Sequence, residues 1–299
     1  MASSTHVATP SPFNAADPAL TAAMLQSTFS LIMNSHFSTL ADEGFLADEV
    51  AGVVDVIRQK YFVHLFEVRA INSLMTGSQY SLQIHAESAR EMVSAALYVR
   101  SLAHCQAAML LLERGMAPSA RALIRCALEG LFNLGACASD SKLALSFLDA
   151  DQVERKRRAK YLAQVQDPSA RARVEEADMA QLTAQIQAKI DAVEAKELRT
   201  REMAKAAGLE DLYLTAYAML SGAVHSSVGD LDEHFSFAAE GQMPQLLTEP
   251  VVGGLEGPLL ILAETMIGLV RAATKVFSLD ITDRCEEHLT ALQRLYQTG

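Results

Sequence analysis

The chain has 299 residues, half of them apolar and a fifth charged, with a formal net charge of −11. Apolar content this high offsets the ordering entropy and excludes a disordered chain. Fifteen Gly and eight Pro are too few for the turns that a sandwich or barrel needs at roughly every 8–12 residues. What remains is an all-α protein, a bundle of about seven to nine helices. Residues 1–16 are expected to be a disordered tail and 17–299 a single helical domain. An acidic surface repels phosphate backbones, so net charge gives no general affinity for nucleic acid.

Asp17-Pro18 pairs an N-cap with a first-turn proline and opens a helix to about Leu40. A second helix is predicted over about 46–75, stopped by Thr76-Gly77-Ser78. The third covers about 82–114 and ends at Gly115, where a C-terminal glycine belongs. The fourth begins at Ala117-Pro118-Ser119 and reaches about Cys137. A fifth, capped by Asp140 or Ser141, runs into a charged stretch and is broken at Asp167-Pro168. From Ala170 to Ala207, Met179, Leu182, Ile186 and Val193 keep helical spacing, so the pattern predicts a hairpin arm at about 150–207. Helices at 211–225, 257–278 and 282–297 complete the chain, with an irregular stretch at 226–250 and no alternating strand pattern.

The fourth helix is apolar in nearly every direction, yet Arg121, Arg125, Glu129 and Asn133 recur every four residues as one polar stripe. The order Arg then Glu four residues later is the weaker orientation of that pair, worth a few tenths of a kcal/mol. Buried groups of this kind cost several kcal/mol each unless another element satisfies them. The helix at 211–225 offers the complement, since Tyr213, Tyr217, Ser221 and His225 also recur every four residues. Packed face to face, the two stripes would join guanidinium, carboxylate, phenol, hydroxyl and imidazole. His104, on the third helix, is a further candidate member. Such a network either fixes helix register or lines a site. In the second case Arg125, Glu129 and His225 take the catalytic roles, and Ser221, Tyr217, Arg121 and His104 the ligand-binding ones.

No metal site is expected: His225, Asp230, Asp232, Glu233 and His234 crowd together but match no metal-ligand spacing. No cofactor is expected either, because P-loop, GxGxxG and GxSxG signatures are missing. The basic run Arg155, Lys156, Arg157, Arg158 and Lys160 has only Tyr161 beside it for base stacking and reads as a solvated helix face. Residues 151–207 carry a local net charge of +2 against −13 for the rest. Four cysteines without a CxxC pair read as reduced thiols, and Met1–Phe13 has no secretory features, so the expected location is cytoplasmic. The most membrane-like stretch, Pro258–Val270, falls short of the roughly 20 residues of a span, and no membrane is expected.

The segment RSLAHCQAAMLLLERGMAPSARALIRCALEGLFNLGA, followed about 85 residues later by YAMLSGAVHSSV, resembles a bacterial all-helical family filed as domain of unknown function 5677. The resemblance covers roughly 80–235 and implies a fold and a polar core rather than a reaction. More distantly the chain is similar to the helical HEPN ribonucleases, which place an Arg and a His with four to six residues between them at a dimer interface. Arg58-x5-His64 meets that spacing, although in an unbroken helix the two point about 120° apart. Arg100-x3-His104 is one residue short, and His225 has no Arg in the seven residues before it. The reading is a binding or signalling module, a homodimer through its arm, with a protein partner or small anionic ligand, in bacterial defence or stress response. The alternative is a metal-independent ribonuclease acting on RNA.

Overall fold

The helix at Ala117–Ser139 organises this all-α structure because it is apolar on nearly every side, and neighbours close over most of it. The computed structural model describes residues 38–167, 169, 179–225, 228–231, 234–236 and 245–298. The expected N-terminal tail and most of the first expected helix lie outside that set. Two units are delimited, Met1–Glu49 and Val50–Gly299. In the first, α1 (Leu40–Glu43) leads into a 3-10 turn at Gly44–Leu46, and Asp42 accepts a 2.7 Å hydrogen bond from the Thr39 hydroxyl.

The second unit begins with α2 (Val50–Lys60) and α3 (Phe62–Ser78). Sequence pattern predicts one helix here, and the chain instead turns at Tyr61, whose buried ring and hydroxyl serve the core and the Leu255 N–H. Next come α4 (Ala89–Glu113), capped by Ser88, α5 (Ala117–Ser139) and α6 (Ser141–Leu162), capped by Asp140. Between α4 and α5 the Met116 N–H bonds the Leu111 carbonyl at 2.9 Å and the Gly115 N–H bonds Leu112 at 3.0 Å. This is the Schellman motif, and Gly115 supplies its left-handed residue with φ 72°.

α7 (Met179–Val193) packs along α6. The helix predicted to run on to Ala207 stops at Glu194, which takes φ 50°, at a cost of roughly 1–2 kcal/mol for a residue with a Cβ. No Gly or Pro marks that break. Residues 200–206 form a separate helix, α8 (Thr200–Ala206), which packs on α5. Then follow α9 (Glu210–Leu212), a π-helical turn at Tyr213–Tyr217, α10 (Ala218–His225) and α11 (Val228–Leu231). Helices α12 (Glu256–Phe277) and α13 (Thr282–Thr298) end the chain. These breaks and short pieces raise the helix number above the expected seven to nine. The one sheet among the described residues is a two-residue antiparallel bridge, with Phe235 opposite Leu246 and Ser236 opposite Gln245. It lies in the stretch predicted to be irregular.

The core sits around α5, which packs against α4, α6, α8, α10 and α12; Ile124, Ala127, Leu128, Phe132 and Leu134 are sealed from solvent. α4 and α5 are also long and apolar enough to cross a membrane by length and composition. Here they are each other's main partner. Glu113, at the end of α4, is a buried carboxylate held by Arg58 at 2.8 Å and by Arg69, both on the packed neighbours α2 and α3.

Gly130 of α5 packs tightly against Ser101 of α4. A Cβ on residue 130 would overlap the Ser101 Oγ and lie 3.2 Å from its Cβ. Gly130→Ala is therefore expected to lower stability in urea denaturation by about 1–3 kcal/mol. Ser101→Ala in the same chain, which removes the overlapping oxygen, should restore most of the loss.

Candidate functional site

The stripe on α5 and the stripe beyond α9 meet at Arg125. Its Nε donates to the Ser221 Oγ at 3.2 Å, and its Nη2 donates to the Tyr217 hydroxyl at 2.8 Å. Its Nη1 lies 3.6 Å from the Glu129 Oε2, one turn along the same helix. The guanidinium carbon also lies 4.6 Å from the centre of the Tyr217 ring. Thr200, first residue of α8, donates to the other Glu129 oxygen at 3.3 Å and hydrogen-bonds with the Tyr217 phenol. The four groups form a closed ring.

Burial, aided by the Glu129 charge, holds the Tyr217 phenol above the usual tyrosine range, so it stays protonated. Only 14% of the Arg125 side chain is exposed, and all three of its nitrogens have partners. A satisfied cation of this kind locks α5 to α8 and α10 and has no nitrogen left for a ligand.

The π-helical turn is what aims Tyr217 and Ser221. Sequence periodicity predicts a regular helix over 211–225, but Tyr213–Tyr217 follows the wider π pattern. The Tyr213 and Tyr217 rings stack with centroids 5.0 Å apart, and Phe132 of α5 meets the second edge-on at 5.6 Å. Three aromatic rings thus support the phenol that Arg125 grips. The propensities of the segment give no sign of this.

Of the other expected members, Arg121 is half-buried one turn before Arg125. His225 ends α10, and its side chain lies outside the described residues, as do Asp232 and Glu233. His104 stands away from the Arg125 ring. It lines a cleft of about 360 Å³ bounded by Leu97, Arg100, Ser101, Cys126, Glu129, Gly130, Asn133 and Phe147. On α4 these fall at i, i+3, i+4 and i+7, and on α5 at the same spacing, so two helix faces form the walls. Gly130 has no side chain, and the Ser101 hydroxyl occupies the space beside it.

Several polar groups in this cleft lack partners. The His104 Nδ1 is buried with no hydrogen bond. The Arg100 guanidinium and the Asn133 amide make no hydrogen bond or ion pair with other described residues. Burial, together with the Arg100 charge, lowers the His104 pKa, so its imidazole is neutral near pH 7. Glu129 belongs to both places: it closes the Arg125 ring and lines the cleft. Arg100 and Asn133 were visible in the sequence at helical spacing from His104 and Glu129, but only the antiparallel register of α4 and α5 makes them neighbours.

The remaining motifs are occupied elsewhere. Arg58 is bonded to Glu113, and His64 packs edge-on against Tyr61 at 5.9 Å. Among the described residues no three His, Cys, Asp or Glu side chains converge as metal ligands. A larger groove, about 530 Å³, runs between α6 and α7. Its Arg155 and Arg158 are both paired with Asp151.

Among the described residues, the all-α bundle sets an internally paired arginine beside an adjoining polar cleft. The chain belongs to the family of unknown function DUF5677, whose model matches residues 91–243 and so takes in both the Arg125 ring and the cleft. Neither a curated protein nor a solved structure matches the chain.

Three measurements check this site. Tyr217→Phe removes one charge-assisted hydrogen bond from a buried cation and is expected to cost about 1.5–3 kcal/mol in urea unfolding. Burial pushes the Cys105 and Cys137 thiols up to about 12 and the Cys285 thiol to about 11, whereas Cys126 faces the cleft. A thiol reagent should therefore modify one cysteine rapidly in the native protein and the other three only on unfolding. Finally, the folded state holds His104 below its unfolded pKa of 6.5, so the unfolded chain binds more protons once the pH falls below about 7. Stability should decline as the pH falls through that window, and His104→Gln should flatten the decline.

Proposed function

We propose that the chain is a binding module that takes a small polar molecule into the His104 cleft. The observation that carries this reading is a cleft lined by His104, Arg100, Glu129 and Asn133, in which the Arg100 guanidinium and the Asn133 amide have no partner among the described residues. Polar groups that lack a protein partner are free to bond a ligand. The volume is suited to a molecule of metabolite size, and Leu97 and Phe147 give it an apolar wall. The Arg125 ring behind the cleft supplies rigidity: it fixes the helix that carries Glu129 and Asn133.

The module is further proposed to act as a homodimer through α6 and α7. Leu162 and Leu182 flank their groove with 47% and 42% of their surface exposed, while Ile186 is buried between them. A two-helix arm with so thin a seam gains from a second copy.

Cys126 reports on the cleft. Incubation with a panel of polar metabolites is expected to yield at least one that slows Cys126 modification in the native protein, with protection lost in His104→Phe. A panel that leaves the rate unchanged throughout overturns the binding reading. For the dimer, light scattering at micromolar concentration should give twice the chain mass of 32.4 kDa, and a monomeric mass overturns it.

A further inference from the structure

The cleft carries both signs of charge. Arg100 stands on the α4 wall without a carboxylate partner among the described residues, and Glu129 stands on the α5 wall. On either side of them the same walls carry a neutral imidazole, His104, and a carboxamide, Asn133, each able to donate and to accept. The Ser101–Gly130 contact sets the register: the helices run antiparallel, so Leu97 lies level with Asn133 and His104 level with Cys126. Arg100 and Glu129 fall on opposite walls in the middle of this ladder.

From this we infer that the ligand is a small zwitterion of the α-amino-acid type, an inference that rests on the cleft being the binding site. Its carboxylate pairs with Arg100 and its ammonium group with Glu129, and its side chain lies against Leu97 and Phe147. The charge pattern selects this class over the simpler ones. A dianion would find one unpartnered cation and a carboxylate facing it. A simple amine would satisfy Glu129 and leave Arg100 without a counter-ion. Glu129 is already held by Arg125 and Thr200, which fixes its carboxylate in place to meet an ammonium group. His104, neutral near pH 7, adds a hydrogen bond to either end without upsetting the balance. The closed Arg125 ring faces away from this role, because its guanidinium is already bonded at every nitrogen.

The test uses the full-length chain and the twenty free α-amino acids at millimolar concentration, with the matching decarboxylated amines and deaminated acids. Binding is read by calorimetry and by protection of Cys126. At least one amino acid is expected to bind and protect. Removing either charged group from that ligand should weaken binding about tenfold or more, the effect of losing one charge-assisted contact. Arg100→Gln, at an exposed position, should weaken the amino acid about tenfold and leave the matching amine unchanged. If the amine or the acid binds as tightly as the parent, the zwitterion inference falls while the binding site stands. If no amino acid binds but another polar metabolite protects Cys126, the inference falls alone. If nothing protects Cys126, both fall.

Discussion

The contact between Ser101 and Gly130 is the constraint on which the rest depends. The two apolar helices meet there at a residue without a side chain, where a Cβ would overlap the Ser101 Oγ. The same contact fixes register, and register decides which residues of α4 face which residues of α5. A shift by one residue would rotate Glu129 and Asn133 away from His104 while leaving the apolar content of the interface almost unchanged. The apolar core gives cohesion here; the glycine gives specificity.

Two polar clusters a single turn apart on α5 obey opposite rules. Around Arg125 each guanidinium nitrogen has a protein partner, and aromatic rings brace the phenol, so the cluster behaves as part of the scaffold. Around His104 an imidazole nitrogen, a guanidinium and an amide wait without partners, in a space large enough for a metabolite. Residue types do not distinguish the two, since each contains an arginine, the shared glutamate and a hydroxyl. Satisfaction distinguishes them: a cluster that bonds only to itself stabilises, and one with unmet bonds can recognise.

The all-α class and most helix limits are legible in the sequence because they rest on local physics. Gly115 and Gly208 end helices in the left-handed conformation, and Pro118 starts one. The fourfold spacing of Arg125, Tyr217 and Ser221 also shows that two helices carry matching stripes, and these three residues do meet. Other features leave no local trace. Glu194 breaks a helix without being glycine, the π-helical turn sits in an ordinary apolar segment, and Glu113 is an acid buried among residues far apart in the chain. The partition of His104 from Arg125 is equally silent, because both lie at the right spacing to join one network. Only the depth at which α4 settles against α5 separates them.

Glu129 has a consequence for genetic dissection. It pairs with Arg125 in the scaffold and also lines the opening, so any replacement there confounds folding with the proposed recognition. Asn133 touches only the opening and Ser221 only the scaffold, and paired alleles at those two positions would separate the phenotypes that a change at position 129 merges. A lone carboxylate serving two masters is thus the least informative place to begin mutagenesis, despite being the most conspicuous acid on its helix.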